Sequence, residues 1–421
     1  MLKTIAAVAC AVSCSGSIYA ETQYADVVEA FAEAMEEKYV FPDVGKECAA
    51  LLRQNLKSGK YDDLDGEALA ISVHDELREI TKDRHFGIKY NPPTPGASQG
   101  PQIGSIGGPD NHGFKKVEIL TGNIGYLDFR FFDDSEEAME TVDSAMGFLR
   151  DSDAVIVDMR HNGGGHPRSV QYICSYFFGE EPVHLNSIYD RTSDSTEEFW
   201  TLEDLPGDRF DKVPVYVLTS AMTFSGAEEF SYNLQTRNRA TLVGETTGGG
   251  AHPVMGIQIG DGFSIGVPFA RAINPVTGTN WEGTGVTPDI ACTADEALEL
   301  AQMLVLDELS ESASGHQAIQ LAWAADFLRS TVVPVEVDRA ILSEYVGSYG
   351  PRKITIHDGT LYYSRGGNPE RPLNALSKDT FMIEGVDFFK LKFVADSKGK
   401  IKSILGSYTQ GHTDVSMRDE D

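Results

Sequence analysis

The pattern that most constrains the fold is an alternation of apolar strands and helices between residues 154 and 244. Residues 154–157 and 213–218 are β-branched and apolar, which is typical of strands buried on both faces. Each run is followed by a turn and a helical pattern, and a third strand follows at Thr241 to Gly244. This βαβ alternation predicts a largely parallel sheet, and hence an α/β fold class.

The preceding segments predict further helices and one more strand. Residues 24–83 carry three apolar stripes at helical spacing, which predicts a small helical bundle. Gly125 to Phe132 is predicted as a strand and Glu136 to Asp151 as a polar helix. Further along, Asp261-Gly262 lies between alternating apolar residues, which is typical of a hairpin turn.

The end of the chain has a different pattern. Helical patterns over Ala297 to Leu309 and Ala318 to Leu328 close the α/β part. From about Val335, aromatic and β-branched residues occur in short runs separated by turns such as His357-Asp-Gly. This pattern predicts a small antiparallel β domain.

Taken together, the patterns divide the chain into five segments. We predict, in chain order, a signal peptide (1–20), an N-terminal helical bundle (21–90), a linker or loop rich in Pro and Gly (91–113), an α/β core (114–330) and a C-terminal β domain (335–421).

Composition limits the partners. The chain has 421 residues and a formal net charge of −29, which argues against nucleic acid and anionic membrane surfaces as partners. After the predicted signal peptide only Cys48, Cys174 and Cys292 remain, and they are too few and too far apart for a disulfide framework.

The first 20 residues predict export. They contain Lys3, an apolar run from Ile5 to Val12, and small residues ending at Ala20, the expected last residue removed. We therefore expect a periplasmic or secreted protein. Cys14 is an alternative lipid-attachment site, but the usual upstream leucine is absent.

Ser225 lies where the strand at 213–218 gives way to a helix. One interpretation is an N-cap, the commonest use of serine at such a junction. The other is a nucleophile at the positive end of a helix, with the Gly226 N–H free to receive an oxyanion. Both interpretations are open at this point.

A serine nucleophile needs a base. No lysine occurs between Val213 and Arg352, so a local lysine is excluded. The candidate histidines are His85, His161, His166 and His252. His161 and His166 flank the triple glycine five residues apart, which does not place them on one helical face, and we interpret them as loop residues.

Two further features could complete a site. Glu282 lies on a glycine loop beside Trp281 and is either an acid that orients the base or an ordinary turn residue. Gly163 to Gly165 follow a buried strand and either form a tight turn, offer N–H groups to an oxyanion, or do both.

Five motifs resemble those of one family, the tail-specific or C-terminal processing serine peptidases. The likeness is to the branch similar to the tricorn protease core and the modules of interphotoreceptor retinoid-binding protein. It covers about residues 24–300, in the following motifs: Asp83-Arg-His-Phe, Asp158-Met-Arg-His-Asn-Gly-Gly-Gly, Thr223-Phe-Ser-Gly-Ala-Glu-Glu-Phe, Gly244-Glu-Thr-Thr-Gly-Gly-Gly and Glu282-Gly-Thr-Gly-Val-Thr-Pro-Asp. The resemblance implies a crotonase/Clp-protease-like core.

The resemblance also implies roles for residues. Ser225 matches the nucleophile, His85 the base and Glu282 the acid that orients it. The oxyanion donors match Gly226 and the turn formed by Gly163 and Gly164. Gly250 stands where the Ser–Lys branch has its lysine, Arg84 stands where the tricorn-like branch has a serine, and the stretch from Tyr90 to Gly122 is too short for a PDZ domain.

We therefore predict an exported serine peptidase acting on short or unfolded peptides, with no metal and no cofactor. A homo-oligomer is compatible with this core. The alternatives are a catalytically silent module that binds apolar ligands, an esterase using the same site, and a peptidase in which His252 is the base.

Overall fold

The computed structural model describes residues 23–92 and 110–420. The predicted signal peptide, Cys14 and most of the predicted linker lie outside these residues. The described chain forms two units. The first comprises residues 23–92, Asp190–Ser193 and Pro253–Ala270, and the second comprises residues 110–189, Asp194–His252 and 271–420.

The helices of the described residues include those that the apolar spacing predicts, and a short helix at Arg339–Tyr345 is an addition within the stretch predicted to be antiparallel β. In chain order they are α1 (Ala25–Lys38), α2 (Pro42–Lys57), α3 (Gly66–Thr81), α4 (Glu136–Leu149), α5 (Pro167–Ser175), α6 (Gly226–Thr236), α7 (Ala297–Ser312), α8 (Gly315–Val332) and α9 (Arg339–Tyr345).

The strands of the described residues form four sheets. In chain order they are β1 (Gly87–Tyr90), β2 (Phe114–Leu120), β3 (Ile124–Phe129), β4 (Ala154–Asp158), β5 (His184–Asp190), β6 (Ser195–Trp200), β7 (Val215–Thr219), β8 (Thr241–Gly244), β9 (Val254–Gly260), β10 (Phe263–Pro268), β11 (Ala270–Ile273), β12 (Ile290–Ala291), β13 (Gly347–Tyr349), β14 (Arg352–His357), β15 (Thr360–Arg365), β16 (Arg371–Ala375), β17 (Thr380–Ile383), β18 (Phe389–Ala395), β19 (Ile401–Tyr408) and β20 (Thr413–Met417).

The first unit begins with α1, α2 and α3, which confirm the helical pattern predicted for residues 24–83. The apolar stripe of α1, including Val28 and Phe31, is fully buried in the core of this unit. Asp65 caps α3 by accepting the Ala68 N–H at 2.9 Å. Lys82, with a φ of 53°, ends α3 in the left-handed conformation.

The predicted hairpin is present and belongs to the first unit. Strands β9 and β10 pair antiparallel, and β10 also pairs with β1. Phe263 and Ile265 of β10 are buried among the residues of the three helices. The Val40 N–H donates to the Pro268 carbonyl at 2.8 Å. The core of the first unit is therefore completed by residues far along the chain.

The second unit contains the predicted mixed, largely parallel sheet. Its strand order is β12-β8-β7-β4-β3-β2, with β2 antiparallel to β3 and the other pairs parallel. Val155 and Val217 face a core shared with α4, α5 and α6, whereas Ile156 and Leu218 face a core shared with α7 and α8. Helices on both faces explain why β4 and β7 are apolar throughout.

The strand register places two turns at one edge of this sheet. Asp158, the last residue of β4, pairs with Leu218 of β7. The segments that follow, residues 159–166 and 220–225, therefore leave the sheet at the same edge, where open α/β sheets bind their ligands.

The end of the chain forms the predicted antiparallel β domain. Strands β13 to β20 form one eight-stranded sheet in chain order, and each strand pairs antiparallel with the next. The Asp419 N–H donates to the Ser348 carbonyl at 2.9 Å and so brings the chain end back to the first strand. In the part of the chain that is described, no helix is both long and apolar enough to cross a membrane.

Candidate active site

Ser225 lies at the N-cap of α6, and its backbone has an unusual conformation. Its φ is 55° and its ψ is −122°. Non-glycine residues rarely have a positive φ, and such strain of roughly 1–3 kcal/mol persists only where the surroundings impose it. Strain of this kind is concentrated at functional sites, so the conformation favours a role beyond capping.

The turn before Ser225 is anchored by two buried hydroxyl groups. Thr223 Oγ1 donates to the Met159 carbonyl at 2.8 Å, and Ser220 Oγ donates to the Arg160 carbonyl. The Ser220 N–H in turn donates to Thr223 Oγ1 at 2.9 Å. Both acceptor carbonyls follow β4, so the ends of β4 and β7 fix the turn together.

Glu228 is a central acceptor of the site, and the sequence analysis treated it only as part of a motif. Its Oε2 accepts the N–H groups of Ser225 and Gly250, each at 2.8 Å. Its Oε1 accepts the Gly249 N–H at 2.6 Å and the Thr247 hydroxyl at 2.5 Å. Burial raises the pKa of Glu228, while these hydrogen bonds favour the ionised form.

A capping-box spacing could have indicated part of this role. Glu228 is three residues after Ser225, the position from which a glutamate accepts the N-cap N–H. Its hydrogen bonds to Gly249 and Gly250 could not be predicted from sequence spacing, because those residues lie in a separate loop.

The glycine turn after β4 lies directly against Ser225. Gly164 has a φ of 98°, and a Cβ there would lie 2.6 Å from the Gly226 nitrogen and 2.7 Å from the Ser225 Cβ. Asn162 holds the turn, because its Oδ1 accepts the Gly164 N–H at 2.8 Å and its Nδ2 donates to the Phe129 carbonyl at 3.0 Å. Only a glycine permits this close approach.

The backbone N–H groups around Ser225 differ in their partners. The Gly164 N–H is engaged with Asn162, and the Gly163 N–H donates to the Arg130 carbonyl at a longer 3.3 Å. Within residues 110–420, no acceptor is recorded for the N–H of Gly165 or of Gly226. Of the predicted oxyanion donors, Gly226 is thus the one without a competing acceptor.

Glu282 and His252 come together in the second unit. Glu282 Oε2 accepts the Ala251 N–H at 2.6 Å and lies 3.6 Å from His252 Nδ1. Trp281 Nε1 donates to the Gly250 carbonyl at 2.7 Å. Since the Gly250 N–H donates to Glu228, this glycine loop connects the surroundings of Ser225 with those of Glu282.

His85 lies in the first unit, between α3 and β1. Its N–H donates to Asp83 Oδ1 at 3.0 Å, and the buried Asp83 also accepts the Tyr39 hydroxyl at 3.3 Å. This turn leaves His85 half-buried and Arg84 exposed.

The two histidines beside the triple glycine are loop residues, as predicted. His161 is exposed in a turn, and His166 is the N-cap of α5, where its Nδ1 accepts the Arg168 N–H at 3.3 Å. Among the described residues, neither belongs to a group of three His, Cys, Asp or Glu side chains close enough to hold a metal ion.

A mixed, largely parallel sheet with a strained serine at a strand-to-helix turn, packed against a glycine turn, has the strand–turn–helix geometry in which some α/β enzymes present a nucleophile. Comparison with known proteins identifies the family. The model of peptidase family S41 matches residues 123–292, and the model described as the N-terminal domain of peptidase S41 in eukaryotic IRBP matches residues 18–112. The chain belongs to peptidase family S41.

Two curated relatives agree with this assignment. The chain is 25% identical over 205 residues to the carboxy-terminal processing protease CtpB of Bacillus subtilis, a match that covers 47% of this chain and 41% of that protein. It is 29% identical over 155 residues to a carboxyl-terminal-processing protease of Synechocystis, a match that covers 36% of this chain and 34% of that protein. The chain thus spans less than half the length of these relatives.

One solved structure supports the fold alone. It is a candidate peptidase from Parabacteroides merdae, matched with a TM-score of 0.51 and 21% identity over 69% of this chain and 98% of that one. The predicted α/β class, with a mixed, largely parallel sheet, N-terminal helices and a C-terminal antiparallel sheet, is therefore confirmed.

Proposed function

We propose that this chain is an exported serine peptidase that hydrolyses peptide bonds of short or unfolded peptides. Ser225 is the nucleophile, His85 the general base and Glu282 the acid that orients the base. The observation that carries the proposal is the strained backbone of Ser225, with its φ of 55°, at the N-terminus of α6. An ordinary N-cap serine needs no such conformation, because N-caps adopt extended backbone angles.

In the proposed reaction, His85 takes the proton of the Ser225 hydroxyl, and Oγ attacks the substrate carbonyl carbon. The tetrahedral intermediate then expels the amine, which receives the proton from His85. Water, deprotonated by the same histidine, attacks the acyl carbon, the ester bond to Ser225 Oγ breaks, and the histidine returns the proton to Oγ as the carboxylate product leaves. The Glu282 carboxylate stabilises the protonated imidazole and fixes its tautomer.

The oxyanion of the intermediate is stabilised by backbone N–H groups. Gly226 is the first donor, because its N–H lies at the N-terminus of α6 and no acceptor among the described residues competes for it. The second donor comes from the glycine turn, either Gly163, whose present bond is 3.3 Å long, or Gly165. Gly164 contributes by its close approach to Ser225.

His252 is the alternative base. Its Nδ1 lies 3.6 Å from Glu282 Oε2, which is within ion-pair distance of the carboxylate but longer than a hydrogen bond. His85 is preferred because the segment Asp83-Arg-His-Phe resembles the family's histidine region. Since both histidines are candidate partners of one acid, their variants must be compared directly.

A fluorophosphonate probe tests the proposal, because it reacts with activated serines. We expect label on Ser225, located by peptide mass, none in S225A, and a rate roughly 10²–10⁴-fold lower in H85Q. Glutamine is chosen because its side chain is close in size to that of histidine, which is partly buried here. Thermal unfolding checks that each variant is folded. If H252Q loses labelling and H85Q keeps it, the base is His252.

The same experiment separates the remaining functions. A folded wild-type protein that takes no label is not a serine hydrolase, and screens with apolar ligands then test the binding-module alternative. If the label is present, comparison of matched peptide and ester substrates distinguishes a peptidase from an esterase. Export, proposed from the pattern of residues 1–20, is tested by N-terminal sequencing of protein from the periplasm or medium, where a start at Glu21 is expected.

A further inference from the structure

Two large apolar side chains are exposed at the edge of the sheet that carries Ser225. Met222, in the turn after β7, is 65% exposed, and Phe131, in the segment after β3, is 41% exposed. Single exposed apolar residues are common and need no explanation. These two are different because of where the sheet places them.

The strand order sets the positions of Met222 and Phe131 relative to the glycine turn. In the sequence β7-β4-β3 all three strands are parallel, so the segments that follow them leave the sheet at one edge. The glycine turn follows β4, the middle strand. Met222 therefore follows one neighbour of β4 and Phe131 the other, and the two side chains flank the turn proposed to bind the oxyanion.

Met222 is exposed because the turn that carries it is fixed. Its N–H donates to Ser220 Oγ at 3.0 Å, and the Ala221 N–H donates to Glu245 Oε2 at 3.2 Å. The flanking Ser220 and Thr223 are buried. The turn thus holds the thioether in solvent three residues before the proposed nucleophile.

Phe131 is exposed because its neighbour is held in the core. The Phe132 N–H donates to the Gly164 carbonyl at 2.9 Å, and the His166 N–H donates to the Phe132 carbonyl at 2.8 Å. This bridge ties the segment to the glycine turn and buries the Phe132 ring completely. Phe131 does not belong to that core, and its side chain is exposed to solvent.

We infer that Met222 and Phe131 form two apolar subsites, one on either side of the reactive centre, for an extended peptide. This inference rests on the proposed peptidase function. The ends of β3 and β7 are two strand spacings apart, roughly 10 Å, and an extended peptide rises about 3.3 Å per residue. Because side chains on one face of an extended peptide are an even number of residues apart, the two subsites accept apolar side chains two or four residues apart in the substrate.

The test measures how well peptides protect Ser225 from the fluorophosphonate probe. Two sets of eight-residue peptides are used, scanned through every register, with either two leucines or two glutamates placed two or four residues apart. The measured quantity is the concentration of the best peptide of each set that halves the labelling rate. We expect the leucine set to protect wild type at a concentration roughly 10- to 100-fold lower than the glutamate set.

The variants are M222K and F131K, and the matched control is M417K, because Met417 of β20 is 62% exposed. In M222K and F131K the preference for leucine should fall at least tenfold, and protection by the glutamate peptides should improve. Loss of folding would weaken both peptide sets alike and would not reverse the preference. M417K should keep the wild-type preference.

The outcomes separate the two proposals. If wild type takes no label, the serine hydrolase proposal is wrong and the subsites fall with it. If wild type is labelled but is protected equally by both sets, or if both lysine variants keep the leucine preference, only the subsites are wrong.

Discussion

The carboxylate of Glu228 accepts the backbone N–H of Ser225 at 2.8 Å. The same side chain accepts the N–H groups of Gly249 and Gly250, so one buried acid fixes both the proposed nucleophile and the loop that leads to His252 and Glu282. Glu228 is thus a positioning residue. Because its partners are backbone N–H groups, a variant that changes its acceptor oxygens tests this role.

E228Q should disrupt the site. A carboxamide has one acceptor oxygen, so its NH₂ group would face backbone N–H donors that Glu228 now satisfies. We expect a loss of roughly 1–3 kcal/mol in the free energy of unfolding and at least a tenfold lower labelling rate of Ser225. Urea unfolding and probe kinetics measure the two effects. Wild-type labelling by a folded E228Q protein would contradict the positioning role.

The neighbouring Glu229 should make stability depend on pH. Burial raises its pKa from the ordinary 4.5 to about 7, although Asn186 and Asn233 oppose the rise. Between about pH 4.5 and 7 the native state keeps the proton while the unfolded chain loses it. The free energy of unfolding should therefore fall as the pH rises through this range, by a few kcal/mol, and level off above pH 7.

Urea unfolding at pH 5, 6, 7 and 8 measures this dependence in wild type and E229Q. The glutamine cannot ionise, so its curve should be flatter between pH 5 and 7 and should lie above that of wild type at pH 8. Parallel curves for the two proteins would show that Glu229 does not titrate as stated.

G164A should abolish the contact between the two turns. The added Cβ would lie 2.6 Å from the Gly226 nitrogen, and the φ of 98° is unfavourable for alanine. Since the atoms it meets are backbone, the turns must move apart, and labelling of Ser225 should fall at least 100-fold. The control is G147A in α4, where a Cβ meets nothing within 4 Å and the helix should gain stability. Equal labelling of both variants would rule out the requirement for close approach.

In the C-terminal sheet, Arg352 should matter more than its surface neighbours. Its guanidinium is fully buried and donates to both oxygens of Asp414, at 2.6 and 2.8 Å, and to Ser416 Oγ at 2.8 Å. R352A should cost about 3 kcal/mol, because it leaves these groups without their donor. The exposed Lys353 gives the control K353A, expected within about 0.5 kcal/mol of wild type. Urea unfolding of wild type, R352A and K353A measures the two losses, and equal midpoints for R352A and K353A would refute the prediction.

Helices and strands whose apolar residues follow one period could be predicted from the sequence. Strand β8 begins and ends where predicted, and α7 and α8 cover the predicted helical stretches. Ser225 could be singled out because a buried strand and a helix meet there. Its backbone conformation could not, since a φ of 55° depends on contacts with Glu228 and Gly164 that are made only after folding.

Other features could not be predicted because they join distant parts of the chain. The spacing of Ile257, Ile259 and Phe263 predicts a hairpin, yet nothing local indicates that it packs on α1 and α3. Similarly, Gly163 and Gly164 follow a strand and could be proposed as oxyanion donors. That Asn162 engages the Gly164 N–H depends on the side-chain geometry of the turn.

The pairing of β1 with β10 also affects how the chain can fold during synthesis. The helices α1 to α3 are made first, but the strand that completes their core begins at Phe263. At roughly 5–20 residues per second, the ribosome needs on the order of 10–30 s to add the intervening stretch of about 170 residues. During that interval the apolar faces of these helices have no native cover, so the earliest part of the protein is exposed to chaperones and proteases for longest.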